Sequence, residues 1–342
     1  MRVGAVVVTY NRPALLLECL AALARQTPEL HEVLIIDNAS APDTCRALAD
    51  AGLVPGAAVE HAARGEACEY VSLAPESTLN LRYVRLDANT GGAGGFAEGL
   101  RRALELNWEW VWLMDDDAQP RPEALKLLLE RERPDAAVLV GRVEEPVRRG
   151  ASFHRGLVNG RRLFPTLQRP VPDDVYASPE TEIDMASFVG FLVRASAVRR
   201  AGLPRADFFI QHDDLEYSLR IKEYGKIILL PASVMLHHFA VGRRSRKLFG
   251  RVSYRLPRSQ IWLSYFGVRN LVYLARAHAD GPLHFWAGLA KYCLRQTAAV
   301  MLFDDAKPVR LACLARAVRD GLAGDFTNRY PFALRERCRE RG

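Results

Sequence analysis

An α/β fold built on a mostly parallel sheet is what this chain predicts, and three observations predict it. Short β-branched runs alternate with helix-period patterns over residues 1–140, the rhythm of strand–helix–strand units. Three of those runs end directly in polar segments: Thr9 to Arg12, Asp37 to Ser40, and Asp115 to Asp117. Sheets of this kind gather their ligands beyond the carboxyl ends of the strands, which is where these segments would lie. With 342 residues, 49% of them hydrophobic and 25% charged, the chain can bury a sizeable core in one large or two modest domains.

The opening MRVGAVVVTYN reads as a first strand over 4–9, since its apolar run is too short for the h-region of a secretory signal. A helix over 13–25, a strand over 32–37, a further helix and a strand over 81–86 follow. Next come a glycine-rich turn at 89–95, a helix from 96 to 106, and the run 108–114, which ends in three aspartates. Residues 141–184 lack periodicity and carry several prolines and an Arg-Arg stretch, as extended loops or a short meander would. Periodicity returns with a strand over 188–194, then a helix over 213–224 whose acidic start suits the positive end of its dipole. A strand over 226–230, Pro231 and the run 232–238 complete this part. The basic segment 242–253 is expected to be a mobile loop, and the chain beyond Arg258 reads as helical. The implied organisation is a domain over 1–241 with halves at 1–140 and 141–241, a basic linker at 242–258, and a basic helical region at 259–342.

The net charge of +7 conceals an asymmetry. Residues 239–342 hold 20 Lys and Arg against 7 Asp and Glu, while the remainder holds 27 against 33. A basic tail draws polyanions such as nucleic acid, anionic lipid or a phosphorylated acceptor. No zinc-finger, RNP-like or helix-turn-helix signature accompanies it, so nucleic acid is not the expected partner. Aromatic and aliphatic residues interleave with Lys and Arg there, and the most apolar stretch, 283–303, is interrupted by Lys291 and Arg295. That is a poor spanning helix, and either an amphipathic surface helix or a packed helical subdomain with a solvated basic face. Six scattered cysteines without a CxxC pair suggest neither a zinc site nor a disulfide framework, and point to a reducing, cytoplasmic compartment.

Four clusters have the residue types for chemistry. Asp115, Asp116 and Asp117 at a strand end repel one another unless a cation intervenes, and hard oxygen ligands suit Mg²⁺ or Mn²⁺; a solvated acidic turn is the bland alternative. His237 and His238 end another apolar run, where an imidazole is either structural or completes such a site, tilting the choice toward Mn²⁺. Asp213 and Asp214 begin a helix, fit to take a proton from a hydroxyl or simply to complement the helix dipole. Asn89 to Gly95 has the glycine content of a phosphate cradle but neither the dinucleotide nor the Walker A spacing, and is equally a plain tight turn.

In order along the chain, TYNRP, IDNAS, NTGGAGGF, MDDDA, FVGF, HDDLEYSLR and P-x₅-H resemble glycosyltransferase family 2 over residues 1–240. The resemblance is greatest to bacterial galactofuranosyltransferases and rhamnosyltransferases of cell-wall and lipid-linked glycan synthesis. It implies the GT-A fold, a nucleotide diphosphate sugar donor and a glycan or polyprenyl-linked glycan acceptor. On its matching positions Thr9, Asn11, Arg12, Asp37, Asn38, Asn89, Gly91, Gly92, Asp115 and Asp116 would contact the donor. Asp115, Asp117 and His237 would hold Mn²⁺ or Mg²⁺. Asp214 would be the base of an inverting displacement, with Asp213 standing where the family has glutamate, and residues 188–191 would form part of the acceptor wall. A peripheral contact of 259–342 with the inner face of the cytoplasmic membrane fits such an acceptor, and a homo-oligomer is also allowed. Two rival classes share these features: a metal-dependent phosphotransferase or pyrophosphatase, which would release inorganic phosphate, and a non-catalytic membrane- or polyanion-binding module.

Overall fold

The computed structural model describes residues 1–26, 29–73, 79–145, 153–238, 244–248 and 251–339. The chain divides into two compact units: Met1–Leu157 with Pro170–Ala206 and Asp214–Phe239, and Val158–Arg169 with Asp207–Asp213 and Ala240–Gly342.

In chain order the elements begin β1 (Val3–Thr9), α1 (Pro13–Ala24), β2 (Glu32–Asp37), α2 (Pro42–Asp50), α3 (Ala57–Ala63), β3 (Cys68–Leu73) and β4 (Asn80–Arg85). They continue with α4 (Gly91–Glu105), β5 (Trp110–Asp115), β6 (Ala118–Pro120), α5 (Ala124–Leu129), β7 (Ala136–Glu144), β8 (Arg155–Val158) and β9 (Gln168–Pro170). Then come β10 (Thr181–Ile183), β11 (Met185–Ala186), β12 (Phe191–Arg194), α6 (Ala195–Ala201), α7 (Asp213–Ile221) and β13 (Lys226–His237). Last are β14 (Arg244–Leu248), β15 (Arg251–Arg255) and the helices α8 (Ile261–Ala277), α9 (Pro282–Phe303), α10 (Lys307–Ala323) and α11 (Arg329–Arg339).

Ten strands form one sheet in the order β10-β13-β7-β12-β5-β1-β2-β4-β3, with β6 beside the end of β13. The strands β4, β2, β1 and β5 are parallel, as the alternating pattern predicts. Every residue of β1 is buried, which is why its sequence is a continuous apolar run and not an alternation. Beyond β5 the sheet is mixed, because β12 runs antiparallel between β5 and β7. Register then does the positioning: Thr9 lies opposite Asp37, and Val8 opposite Asp115, so three strand ends finish level.

The glycine-rich segment is not a turn ahead of a helix at residue 96; it is the first turns of α4 itself. A Cβ on Gly95 would come within 2.6 Å of Val8, and one on Gly99 within 2.3 Å of Val6. These glycines let α4 lie directly on β1, a packing demand that produces the same residue pattern as a phosphate cradle. Likewise, the strand expected at 226–230 and the run after it are one strand, β13. It continues past Pro231 through an irregularity between Leu230 and Val234, the kind of place where a strand tolerates a residue lacking an N–H donor.

In the second unit Phe209, Ile261, Tyr265, Phe266, Cys313, Ala317, Leu334 and Cys338 form a core of their own. The buried Asn270 amide donates to the carbonyls of Phe208, Ile210 and Gln211. Phe209, Gln211 and His212 there take φ of 63°, 69° and 64°, a left-handed backbone that L-residues adopt only under constraint. The segment expected to be a mobile loop holds β14 and the first three residues of β15, which pair antiparallel, while residues 242, 243, 249 and 250 lie outside the described residues, as does the Arg-Arg stretch at 148–149. Along α9, Leu283, Trp286, Leu294, Met301 and Leu302 are exposed. A cavity of about 490 Å³ is lined by Arg161, Arg162, Phe164, Lys291, Tyr292 and Arg295, among others. Among the described residues, no helix is long and apolar enough to cross a membrane.

Candidate active site

At the end of β5 the three aspartates have different surroundings. Asp116 accepts from the Thr9 hydroxyl at 2.7 Å and from Arg12 at 3.2 Å, and Asp117 accepts from Arg12 at 2.7 Å. Asp115 is half-buried at the strand end. Burial pushes the Asp116 carboxyl above its usual range in spite of the bonds from Thr9 and Arg12. Burial opposes ionisation of Asp117 too, but the His237 contact and Arg12 outweigh it and hold that carboxyl low. Thr9 and Arg12, expected to meet a nucleotide, here brace the acidic strand end; Arg12 keeps 45% of its side chain exposed.

The second strand end is joined to the α4 start. Asp37, fully buried, accepts from the Tyr83 hydroxyl at 2.6 Å and from the Ser40 amide at 2.8 Å. Asn38 donates to the Gly91 carbonyl at 3.0 Å and accepts from the Thr90 hydroxyl at 2.8 Å. Asn89 accepts from the Gly91 amide at 2.8 Å. Gly91 at φ 74° opens α4, and a Cβ on Gly92 would meet nothing within 4 Å, so the backbone there is open to a ligand. Asn11, at φ 55°, accepts from the Ala41 amide and ties the first strand end to the second. The polar ends of β1, β2 and β5 are thus one connected patch.

His237 joins the patch from the other half of the sheet. It pairs in register with Ala118 across β13 and β6, which sets its Nε2 3.2 Å from Oδ1 of Asp117. His154 lies edge-on to it, ring centroids 4.7 Å apart, with Nδ1 2.8 Å from the Ser187 hydroxyl and Nε2 3.3 Å from Oε1 of Glu145. One donor atom from each of Glu145, His154 and His237 lies within 4.8 Å of the others. Burial pushes the His154 imidazole down to about 3, so it is a neutral base at ordinary pH. A donor set of carboxylate oxygens with imidazole nitrogens suits a divalent ion that accepts both, Mn²⁺ more than Mg²⁺.

Glu145 and His154 went unread in the sequence. They fall in the aperiodic stretch, and the one available signal was a histidine directly before the strand-like Arg155–Val158.

Asp214 opens α7 half-buried, its carboxylate accepting from the Leu215 amide at 2.7 Å. Burial pushes its carboxyl up to about 6, against that bond and the charge of Arg155. Its neighbour Asp213 is buried at the same helix start. Phe188 and Phe191 correct an expectation: they pack edge-on at 5.4 Å and against Tyr217, and are buried in the core, so they form no acceptor wall.

Residues 5–200 match the family model described as Glycosyl transferase family 2. The galactofuranosyltransferase GlfT1 of Mycolicibacterium smegmatis is 31% identical over 280 residues, 80% of this chain and 82% of that protein. Among solved structures, GalNAc-T7 with UDP, GalNAc and Mn²⁺ aligns with a TM-score of 0.58 at 14% identity, covering 97% of this chain and 58% of that one. Residues 1–349 of TarS from S. aureus align at 0.50 and 17%, covering 100% and 92%. At these identities the two structures share the fold.

Proposed function

Because the chain belongs to glycosyl transferase family 2, we propose that it moves a sugar, galactofuranose by its likeness to GlfT1, from a nucleotide diphosphate donor to a glycan or polyprenyl-linked glycan, with inversion. The glycosyltransferase activity goes with the family; donor, acceptor, stereochemistry and metal are the proposal. The observation that carries it is the 3.2 Å approach of His237 to Asp117 beside the joined ends of β1, β2 and β5.

In this reading Asp115, Asp117 and His237 hold a divalent ion, Mn²⁺ or Mg²⁺. When bound, the ion offsets charge on the departing diphosphate. Arg12 holds the aspartates in place and, half-exposed, turns its remaining donors toward donor phosphate. Asn11, Asn38, Asn89 and the open backbone at Gly91 and Gly92 receive the nucleoside and its phosphates, while Asp37, fully buried and bonded through both oxygens, fixes the strand end beneath them. Asp214 takes the proton from the acceptor hydroxyl as that oxygen attacks the anomeric carbon opposite the leaving group. A carboxyl near 6 is a stronger base than an ordinary aspartate and is still ionised at neutral pH.

The catalytic domain is taken as 1–241 and the basic helical region as 259–342, the latter resting on an anionic membrane surface at the inner face of the cytoplasmic membrane. The exposed Leu283, Trp286 and Leu294 beside Lys291 and Arg295 support that contact. The test is incubation with nucleotide sugars and Mn²⁺, with and without a galactan or lipid-linked acceptor. Nucleoside diphosphate released only with acceptor supports transfer; inorganic phosphate as the main product refutes it.

A further inference from the structure

We propose that Glu145 and His154 are metal ligands as well, so that the ion is held by two imidazoles, from His154 and His237, together with carboxylates. This rests on the metal-dependent reading above and extends it to residues that no sequence motif marks.

Three separate elements converge to make the arrangement. Glu145 follows β7, His154 precedes β8, and His237 ends β13. One donor atom from each fits within 4.8 Å, and Asp117 adds a carboxylate 3.2 Å from the Nε2 of His237. All of these residues lie in the first compact unit. His154 is oriented as a metal-bound histidine usually is. Its Nδ1 is 2.8 Å from the Ser187 hydroxyl, a partner that fixes the ring and leaves Nε2 aimed at Glu145, inside the cluster. The T-shaped packing on His237 keeps both rings at one centre.

The chemistry follows from the second nitrogen. Mg²⁺ prefers an all-oxygen shell, whereas affinity for imidazole-bearing sites rises along the first-row metals from Mn²⁺ toward Zn²⁺. The centre therefore discriminates against Mg²⁺, and Zn²⁺ competes with Mn²⁺ for it.

Nitrogen-14 electron spin echo envelope modulation on the Mn²⁺-loaded full chain counts the imidazoles directly, and calorimetry gives the affinity. The wild type is expected to show two coordinated nitrogens, and His154→Ala one, with Mn²⁺ affinity lowered about 100-fold or more, beyond the cost of losing a supporting residue, and Mg²⁺ affinity changed far less. Glu145→Gln should weaken Mn²⁺ while keeping both nitrogens. A single coordinated nitrogen in the wild type overturns the proposal even if His154→Ala fails to fold, and leaves the three-ligand reading standing. No Mn²⁺ uptake by the wild type overturns both.

Discussion

The guanidinium of Arg155 acts on the carboxylate of Asp214 through its charge, its hydrogen bonds being given elsewhere. Fully buried, it donates to the carbonyls of Gly141, His154 and Val189 at 2.7 to 2.8 Å, and what reaches Asp214 is its field. The arrangement is reciprocal in kind: burial pulls Arg155 down to about 10 while burial lifts Asp214 to about 6.

The transfer rate, kcat/KM, should therefore have an acid limb set by Asp214, falling tenfold per pH unit below about 6. Asp214→Asn should lose roughly 10²- to 10⁴-fold in kcat. Measured rates of that variant within twofold of wild type would remove Asp214 from the role of base.

The same residue should cost stability. Its folded pKa of about 6 is raised above an ordinary 3.8, so the folded state disfavours the carboxylate. That cost is absent below the ordinary value, grows as pH rises through the interval, and is complete above about 6. Asn carries no such cost, so Asp214→Asn should melt higher than wild type at about pH 8, with the difference gone near pH 4. Parallel melting curves across that range would show that the carboxyl is not raised.

Asp117→Asn and His237→Ala should each weaken Mn²⁺ binding by about 100-fold or more, as loss of a direct ligand costs more than loss of its support. Chelator should stop transfer by the wild type, and added Mn²⁺ should restore it. Transfer at full rate in excess chelator would end the metal-dependent reading.

Gly99→Ala should destabilise the fold by about 1–3 kcal/mol, since its Cβ meets Val6 at 2.3 Å and α4 must lift from β1. Gly92→Ala meets no neighbour and should leave the melting temperature within a degree or two. If nucleotide closely approaches that backbone, its effect should fall on the donor KM. Denaturant unfolding and donor kinetics separate the two.

Much of the first unit was legible because its determinants are local. Apolar runs such as Val3–Thr9 and Trp110–Asp115 are strands buried on both faces, and each ends in the polar residues that its position requires. The His237 site was legible through its motif. Glu145 and His154 were not, because nothing near them in the sequence repeats or alternates; the β7–β13 register sets Glu144 opposite Leu236, while His154 comes in at the start of β8, a strand of a separate sheet. The glycines of α4 misled for a different reason: close helix–strand packing and phosphate binding select the same residue, and only the neighbours tell them apart. The strand expected over 188–194 is present as β12, Phe191–Arg194, but its antiparallel direction lay beyond reach, since a short apolar run carries no mark of direction.

Trp286→Ser with Leu294→Ser should abolish flotation of the full chain with anionic liposomes at low salt, leaving transfer to a soluble acceptor unchanged. Lys291→Glu should weaken flotation and flatten its salt dependence. Equal recovery with neutral and anionic vesicles would contradict the electrostatic part of the contact.

The three carbonyls held by Asn270 bear on how the C-terminal helices can be studied. Phe208, Ile210 and Gln211 belong to the stretch that leads into Asp213, and three of its residues hold left-handed backbone conformations alongside those bonds. Cutting the chain before α8 would therefore do more than discard a basic appendage: it would slacken the stem from which the acidic start of α7 grows. A truncated enzyme that turns over poorly says nothing about membranes, whereas single exchanges on the outer face of α9 leave that stem taut.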